Sequence, residues 1–239
     1  MIQINDSDTF TKLISELSSD IVNAQIHWRL HADLVKALEA RPIVGQQSNT
    51  FWHLTLQAHA NSAITHLCRA FDQNSDALHL FSWLKTIKAN LHIFAIPAFK
   101  SRLADNPFVN SLASTARNPD PVTLDADILD CSNADGLVKK LTIYRAHYLA
   151  HRSADLATGA KTIAQANQLS DAVFETLLLR AITILNRYSG LFAAEIWSTS
   201  VIGGNDFDFI FRSVAEAVET SRAKSEAFLA AHSGDQPTD

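Results

Sequence analysis

An all-α fold, an antiparallel bundle of five to six main helices, follows from three features of the sequence. Apolar residues recur at helical steps over several long stretches, the period of a helix with one buried face. Glycine and proline are scarce, seven and six in 239 residues, so few tight turns interrupt those stretches. No stretch shows the sustained apolar–polar alternation of a half-buried strand.

The first helix is predicted to start at Asp6 or Ser7, with Asp8 and Thr9 in the capping region. Phe10, Leu13, Ile14, Leu17, Ile21, Ala24, Trp28, Leu34 and Leu38 form its apolar stripe to about Ala40, and Pro42 and Gly45 end it. Ser48-Asn49-Thr50 starts a second helix that reaches Phe71, with Trp52, Leu56, Ala60, Ala63 and Leu67 toward the core and His53, His59 and His66 off that stripe. After the polar loop Gln73-Asn74-Ser75-Asp76, a third helix runs from Ala77 to about Phe94. Pro97, Pro107, Pro119 and Pro121 then break continuity. With a linker or short helix over 125–136, they make an irregular insertion near 95–130.

A fourth helix starts at Asp135 or Gly136 and passes through Leu137, Leu141, Tyr144, Tyr148 and His151, with Gly159 as its C-terminal stop. The fifth begins at Ser170-Asp171 and extends to about Trp197, burying Val173, Leu177, Ala181, Ile184, Leu185, Tyr188 and Phe192. Gly203-Gly204-Asn205-Asp206 is a turn, and a last helix covers Phe207 to about Ala231, with a polar second half expected to fray or protrude. Residues 1–231 read as a single helical domain and 232–239 as a disordered tail.

Composition narrows the function classes. Apolar residues at 47% and charged residues at 19% are an ordinary globular balance. A net charge of -5 offers no global attraction to nucleic acid or anionic membrane. The stretch from Leu137 to Lys161 differs: five basic residues, Lys139, Lys140, Arg145, Arg152 and Lys161, face the single Asp155, a local charge of +4. The N-terminus lacks the basic and apolar regions of a signal peptide, and no apolar run approaches the roughly 20 residues of a membrane span. Cys68 and Cys131 have no metal-ligand spacing; a disulfide is unsupported, and two reduced thiols are the simpler reading. A cytoplasmic protein with no membrane partner is expected. Glycine-rich phosphate loops, Gly-x-Ser-x-Gly elbows and Cys-x-x-Cys pairs do not occur.

The chemistry concentrates in Tyr144–Asp155, which holds two histidines, two arginines and two tyrosines. Cationic and proton-transferring groups this close together suit phosphodiester chemistry, where a phosphorane needs charge stabilisation and a hydroxyl must lose its proton. The polar face of an amphipathic helix would hold the same residues without a function. On a continuous α-helix, residues six apart point about 120° apart. Arg145 and His151 therefore meet one phosphate only if the helix ends or distorts there, or if a second subunit completes the cleft. His147 and His151 share a face. His27 and His31 are also one turn apart, and with His147 and His151 they allow a metal-binding bundle as a rival reading. Neither pair carries the Glu-x-x-His pattern of carboxylate-bridged bundles, so no metal or cofactor is called for.

Phe51-Trp52 followed by Arg69-Ala70-Phe71-Asp72 on one helix, and Arg145-x5-His151 on a later one, resembles the HEPN superfamily. Within it the chain is most similar to the AbiU2-like branch, over about Asp6 to Ser200. The resemblance implies a helical bundle with an Arg-x4-6-His motif, in many members a metal-independent ribonuclease of phage-defence, toxin–antitoxin or RNA-processing systems. It also implies a homodimer whose two motifs face one cleft. Arg145 would be the motif arginine and His151 the motif histidine. RNA would be cut by attack of the 2′-hydroxyl on the adjacent phosphate, with His151 as general base or acid. Arg145 would hold the phosphate and its developing charge, and His147, Tyr148 and Arg152 would position substrate. The implied partners are RNA, a second copy, and an antitoxin or regulatory protein. The family often has a polar residue directly after the arginine, whereas here it is Ala146. A catalytically inactive HEPN-like module binding a protein or nucleotide is therefore the alternative.

Overall fold

The capping and apolar signals resolve into ten α-helices, with no β-strand, among the described residues. The computed structural model describes residues 2–4, 6–150, 158–159, 169–198, 200 and 203–232, with backbone alone at 148–150. The helices are α1 (Ser7–Ala40), α2 (Pro42–Gln47), α3 (Asn49–Ala70), α4 (Leu80–Ala89), α5 (Ile96–Arg102), α6 (Val109–Leu112), α7 (Pro121–Asp130), α8 (Gly136–Tyr144), α9 (Asp171–Ala193) and α10 (Phe207–His232). A 3₁₀ turn covers Leu91–Phe94 and a π-helical turn covers Arg145–Ala150. None of these helices is long and apolar enough to cross a membrane.

Local chemistry sets the boundaries. Asp6 accepts the Thr9 N–H at 2.7 Å and caps α1. Pro42 ends α1 but also starts the unanticipated α2, because proline at the first helical position needs no N–H partner. Asp120 caps α7 ahead of Pro121, Asp135 caps α8, and Ser170 caps α9. The third helix stops short of Phe94: the Asn90 side chain bonds the Thr86 carbonyl at 2.9 Å and the chain tightens into the 3₁₀ turn. α9 stops at Ala193, ahead of Trp197, where Ala194 takes a left-handed φ of 56°. Gly159 has a positive φ of 74°, and the end of the helix it is expected to stop lies in 151–157, outside the described residues. The tail expected at 232–239 lies outside the described residues except for His232, which still belongs to α10.

The chain divides into two compact units, Met1–Gln25 with Ser62–Ser200 and Ile26–Asn61 with Val201–Asp239. In the first, Phe10, Ile14, Leu17 and Ile21 of α1 are buried, as are Leu67 and Phe71, Trp83 and Leu84 of α4, and Phe174, Leu185, Tyr188 and Phe192 of α9. Phe10 sits between Trp83 and Phe192, with ring centroids at 5.9 and 4.8 Å. Asp127 of α7 is buried and accepts from both Tyr188 Oη, at 2.7 Å, and Arg187. In the second unit, Leu34, Ala37, Val44, Trp52 and Phe211 form the core. Only Phe211 of α10 is fully buried, and every residue from Glu219 to His232 is exposed although the helix continues.

Candidate functional site

α8 is anchored at its start. The Asp135 carboxylate accepts the Leu137 and Val138 N–H groups at 2.9 and 3.0 Å, and Arg180 of α9 reaches it at 3.0 Å. Arg180 also donates to the Asp130 carbonyl at 2.6 Å. Burial works to raise the Asp135 pKa, but the Val138 N–H, Arg180 and the Leu137 N–H outweigh it, so the carboxyl lies below its usual range.

The regular helix anchored there lasts only to Tyr144. At Arg145 the hydrogen-bonding pattern widens from α to π through Ala150. Single π turns inside helices recur at functional sites because they re-aim side chains at a local energetic cost. The continuous-helix objection to the Arg145 and His151 pairing thus meets a real departure from α geometry. His151 and Arg152 themselves lie outside the described residues, as do the other residues of 151–157. His147 is half-buried within the π turn, and Tyr148 is described there by its backbone.

Arg145 donates from Nη1 to Asp72 Oδ1 at 2.6 Å. Asp72 stands just beyond α3 and is fixed by its own loop, accepting the Gln73 and Asn74 N–H groups at 2.7 and 3.2 Å. Gln73 in turn donates to the carbonyls of Phe71 and Cys131, each at 3.0 Å. Burial would raise the Asp72 pKa, yet the bonds from Arg145 and the loop amides prevail and hold it low, so the carboxylate is charged at neutral pH. The Arg145 side chain is 42% exposed against 16% for Asp72. Among the described residues only Nη1 is engaged, which leaves most of the guanidinium fork for another oxyanion. Cys68 is buried beside this pair; burial pushes its thiol up to about 12, which makes it unreactive.

A second polar knot lies on α3 in the same unit. Asp20 of α1 accepts from His66 Nδ1 at 2.8 Å and from Arg69 Nη1 at 3.1 Å. The stretch Arg69-Ala70-Phe71-Asp72 therefore has a divided role. Arg69 ties α3 to α1, Phe71 is buried, and Asp72 orients Arg145. Sequence reasoning named the stretch but gave Asp72 no task and passed over Asp20. The signal for Asp72 was its place in that stretch; Asp20 had none.

The histidines of the second unit have partners on α3. His27 Nδ1 meets His59 Nδ1 at 2.9 Å, while His31 Nδ1 meets the Leu56 carbonyl at 3.0 Å. His59 has a lowered pKa, chiefly through burial and then through the nearby His31. Among the described residues, no group of three or more His, Cys, Asp or Glu is placed to hold a metal ion.

The all-helical fold agrees with a comparison against protein families. A family model, HEPN_AbiU2 (AbiU2), matches residues 7–216. The chain belongs to the AbiU2 family of HEPN proteins. No curated protein and no solved structure matches the chain. The AbiU2 match runs from the start of α1 into α10. It therefore extends beyond the Asp6 to Ser200 span of the initial resemblance and takes in Phe211, the α10 residue buried in the second core.

Proposed function

We propose that this AbiU2-family protein is a metal-independent endoribonuclease of a phage-defence or toxin–antitoxin type system. The observation that carries the reading is Arg145: a half-exposed guanidinium at the onset of a π turn, held by one nitrogen on a carboxylate that its own loop has fixed. An arginine held this way keeps planar donors for a phosphate and for the charge that builds on it. His151 supplies or removes the proton, since an unperturbed imidazole titrates near neutrality. The 2′-hydroxyl attacks the adjacent phosphorus and the 5′-oxygen leaves, giving a 2′,3′-cyclic phosphate and a 5′-hydroxyl. His147, Tyr148 and Arg152 position the substrate. A second copy of the chain completes the cleft, and an antitoxin or regulatory protein restrains it.

Purified protein incubated with total RNA in excess EDTA, beside Arg145→Ala and His151→Ala, tests this. Cyclic-phosphate ends from the parent, and about 100-fold fewer from either variant, are expected. Equal cleavage by parent and variants would assign the activity elsewhere. No cleavage by any of them, with RNA or a protein partner still bound, would favour the inactive binding module.

A further inference from the structure

Two imidazole nitrogens face each other in the second unit, in a contact that the proposed cleavage does not use. His27 of α1 and His59 of α3 are half-buried, and their Nδ1 atoms stand 2.9 Å apart. The ring centroids are 5.1 Å apart, close to the span of two rings whose nitrogens meet head-on. Nitrogens converging on one metal ion at about 2.0–2.1 Å would stand about 3.3 Å apart in a tetrahedral site. Among the described residues no third ligand completes such a site. The contact is therefore a hydrogen bond, with one Nδ1 donating and the other accepting.

One turn along the same two helices, His31 Nδ1 donates to the Leu56 carbonyl at 3.0 Å. The two contacts are rungs between antiparallel stretches of α1 and α3, but they answer acid differently. His31 needs only its Nδ1–H, which an imidazole keeps when it gains a proton. The His27–His59 pair needs a bare Nδ1. Its first added proton goes to the donor's Nε2 and leaves a charge-assisted bond. A second must take the accepting Nδ1, and two cationic N–H groups then face each other. Other charges around the pair are few. α2, and α3 from Asn49 to Asn61, carry no Asp, Glu, Lys or Arg, and His53 is exposed. Arg29 and Asp33 of α1 pair with each other at 3.7 Å, and Asp208 of α10 pairs with Arg41 at 3.3 Å. Burial first, and then the nearby His31, lower the pKa of His59.

We propose that His27 and His59 form a proton-operated latch in the second unit, closed while one proton bridges the two rings and open once both rings are charged. The Nδ1 atoms then separate while the His31–Leu56 rung holds, so α1 and α3 part at one end and stay pinned one turn away. Both latch residues lie within two positions of where their helices leave the second unit, at Ile26 and Asn61. The bridge, burial and His31 all oppose the second proton, so the two rings titrate as a coupled pair. The latch is whole above about pH 6.5 and is lost as pH falls through the second step.

An NMR titration of the imidazole nitrogens in the full chain, from about pH 8 to about pH 4 with and without EDTA, tests the latch beside amide exchange corrected for its intrinsic rate. In the parent, His27 and His59 should titrate in two steps at least about one pH unit apart. Protection of the amides near both residues should fall at least about tenfold across the second step, while that of Leu185 and Tyr188 in the first unit holds. His59→Asn offers a side-chain oxygen that accepts from His27 in either charge state, and its protection should not fall there. Coincident steps, unchanged protection across the second step, or equal loss in His59→Asn would overturn the proposal. So would a titration that shifts when EDTA is left out, since a metal ion and not a proton would then join the rings.

Discussion

Two aspartate–arginine pairs in the same unit are built for different ends. Asp127 is buried, and its Oδ2 accepts from both Arg187 and Tyr188, adjacent residues of the regular helix α9. Through Oδ2 the carboxylate ties α7 to α9, and its presence raises the pKa of Arg187 and adds to the effect of burial in raising that of Tyr188. Asp72 is instead fixed by the amides of its own loop and, as Asp127 does with Arg187, takes a single nitrogen of Arg145, here where the helix leaves α geometry. The guanidinium exposures barely differ, 36% for Arg187 and 42% for Arg145. What separates the two arginines is therefore how the carboxylate is held and what the backbone does at the arginine, and the proposed role of Arg145 rests on that difference.

Substitutions at the two pairs should separate along that line. Arg145→Ala should lower RNA cleavage by about 10²–10³-fold, with stability within about 1 kcal/mol because the pair is partly solvated. Cleavage assays and urea melts on the same preparation measure both. Asp127→Ala should do the reverse, costing about 2–3 kcal/mol by stranding the Tyr188 hydroxyl and Arg187, a figure discounted for the exposure of Arg187. A smaller effect is expected from Asp72→Asn, which keeps the shape but removes the charge that orients Arg145. Its cleavage should fall about tenfold, chiefly in kcat, and an unchanged kcat would break the comparison.

The smallest expected effect concerns pH. His79 is buried at the start of α4; its Nδ1 accepts the Ser82 N–H and its Nε2 donates to the Asn74 carbonyl, closing the loop that begins at Asp72. Burial lowers its pKa from 6.5, so the unfolded chain takes up a proton before the folded one does. The stabilisation is thus full above about pH 6.5 and fades as pH falls through the window between the unfolded and folded values. Protonation also removes the acceptor for Ser82. Protection factors of the Gln73 and Asn74 amides should fall between pH 7.5 and 5.5 before those around Asp127. In His79→Asn, which retains a capping acceptor, the drop should be shallower.

Much of this architecture is written in local sequence. Asp6, Asp120, Asp135 and Ser170 cap helices through side chains within three residues of their targets, so those starts are readable without tertiary knowledge. Arg145 is singled out in the sequence only by its resemblance to a family motif. The π turn is not readable there: Tyr144 to Ala150 contains neither glycine nor proline, and nothing in its composition forces a wider turn. The partners are also hidden. Asp72 lies 73 residues before Arg145, and Asp20 lies 46 and 49 residues before His66 and Arg69, so both contacts depend on how helices meet and not on spacing. The His27 and His31 spacing likewise says nothing of their partners on α3. An i, i+4 pair places two rings on one face, but whether they converge depends on α3, which draws one toward His59 and the other toward the Leu56 carbonyl.

The most direct test of the division between the two pairs is the rate of RNA cleavage per folded molecule, in EDTA, for Arg145→Lys beside Asp127→Asn. Lysine keeps the charge but loses the planar fork. The expected result is that Arg145→Lys melts like the parent and cleaves about 100-fold more slowly, while Asp127→Asn melts earlier and, wherever it is folded, cleaves at the parental rate. Parental cleavage by Arg145→Lys, or loss of cleavage in folded Asp127→Asn, would contradict it.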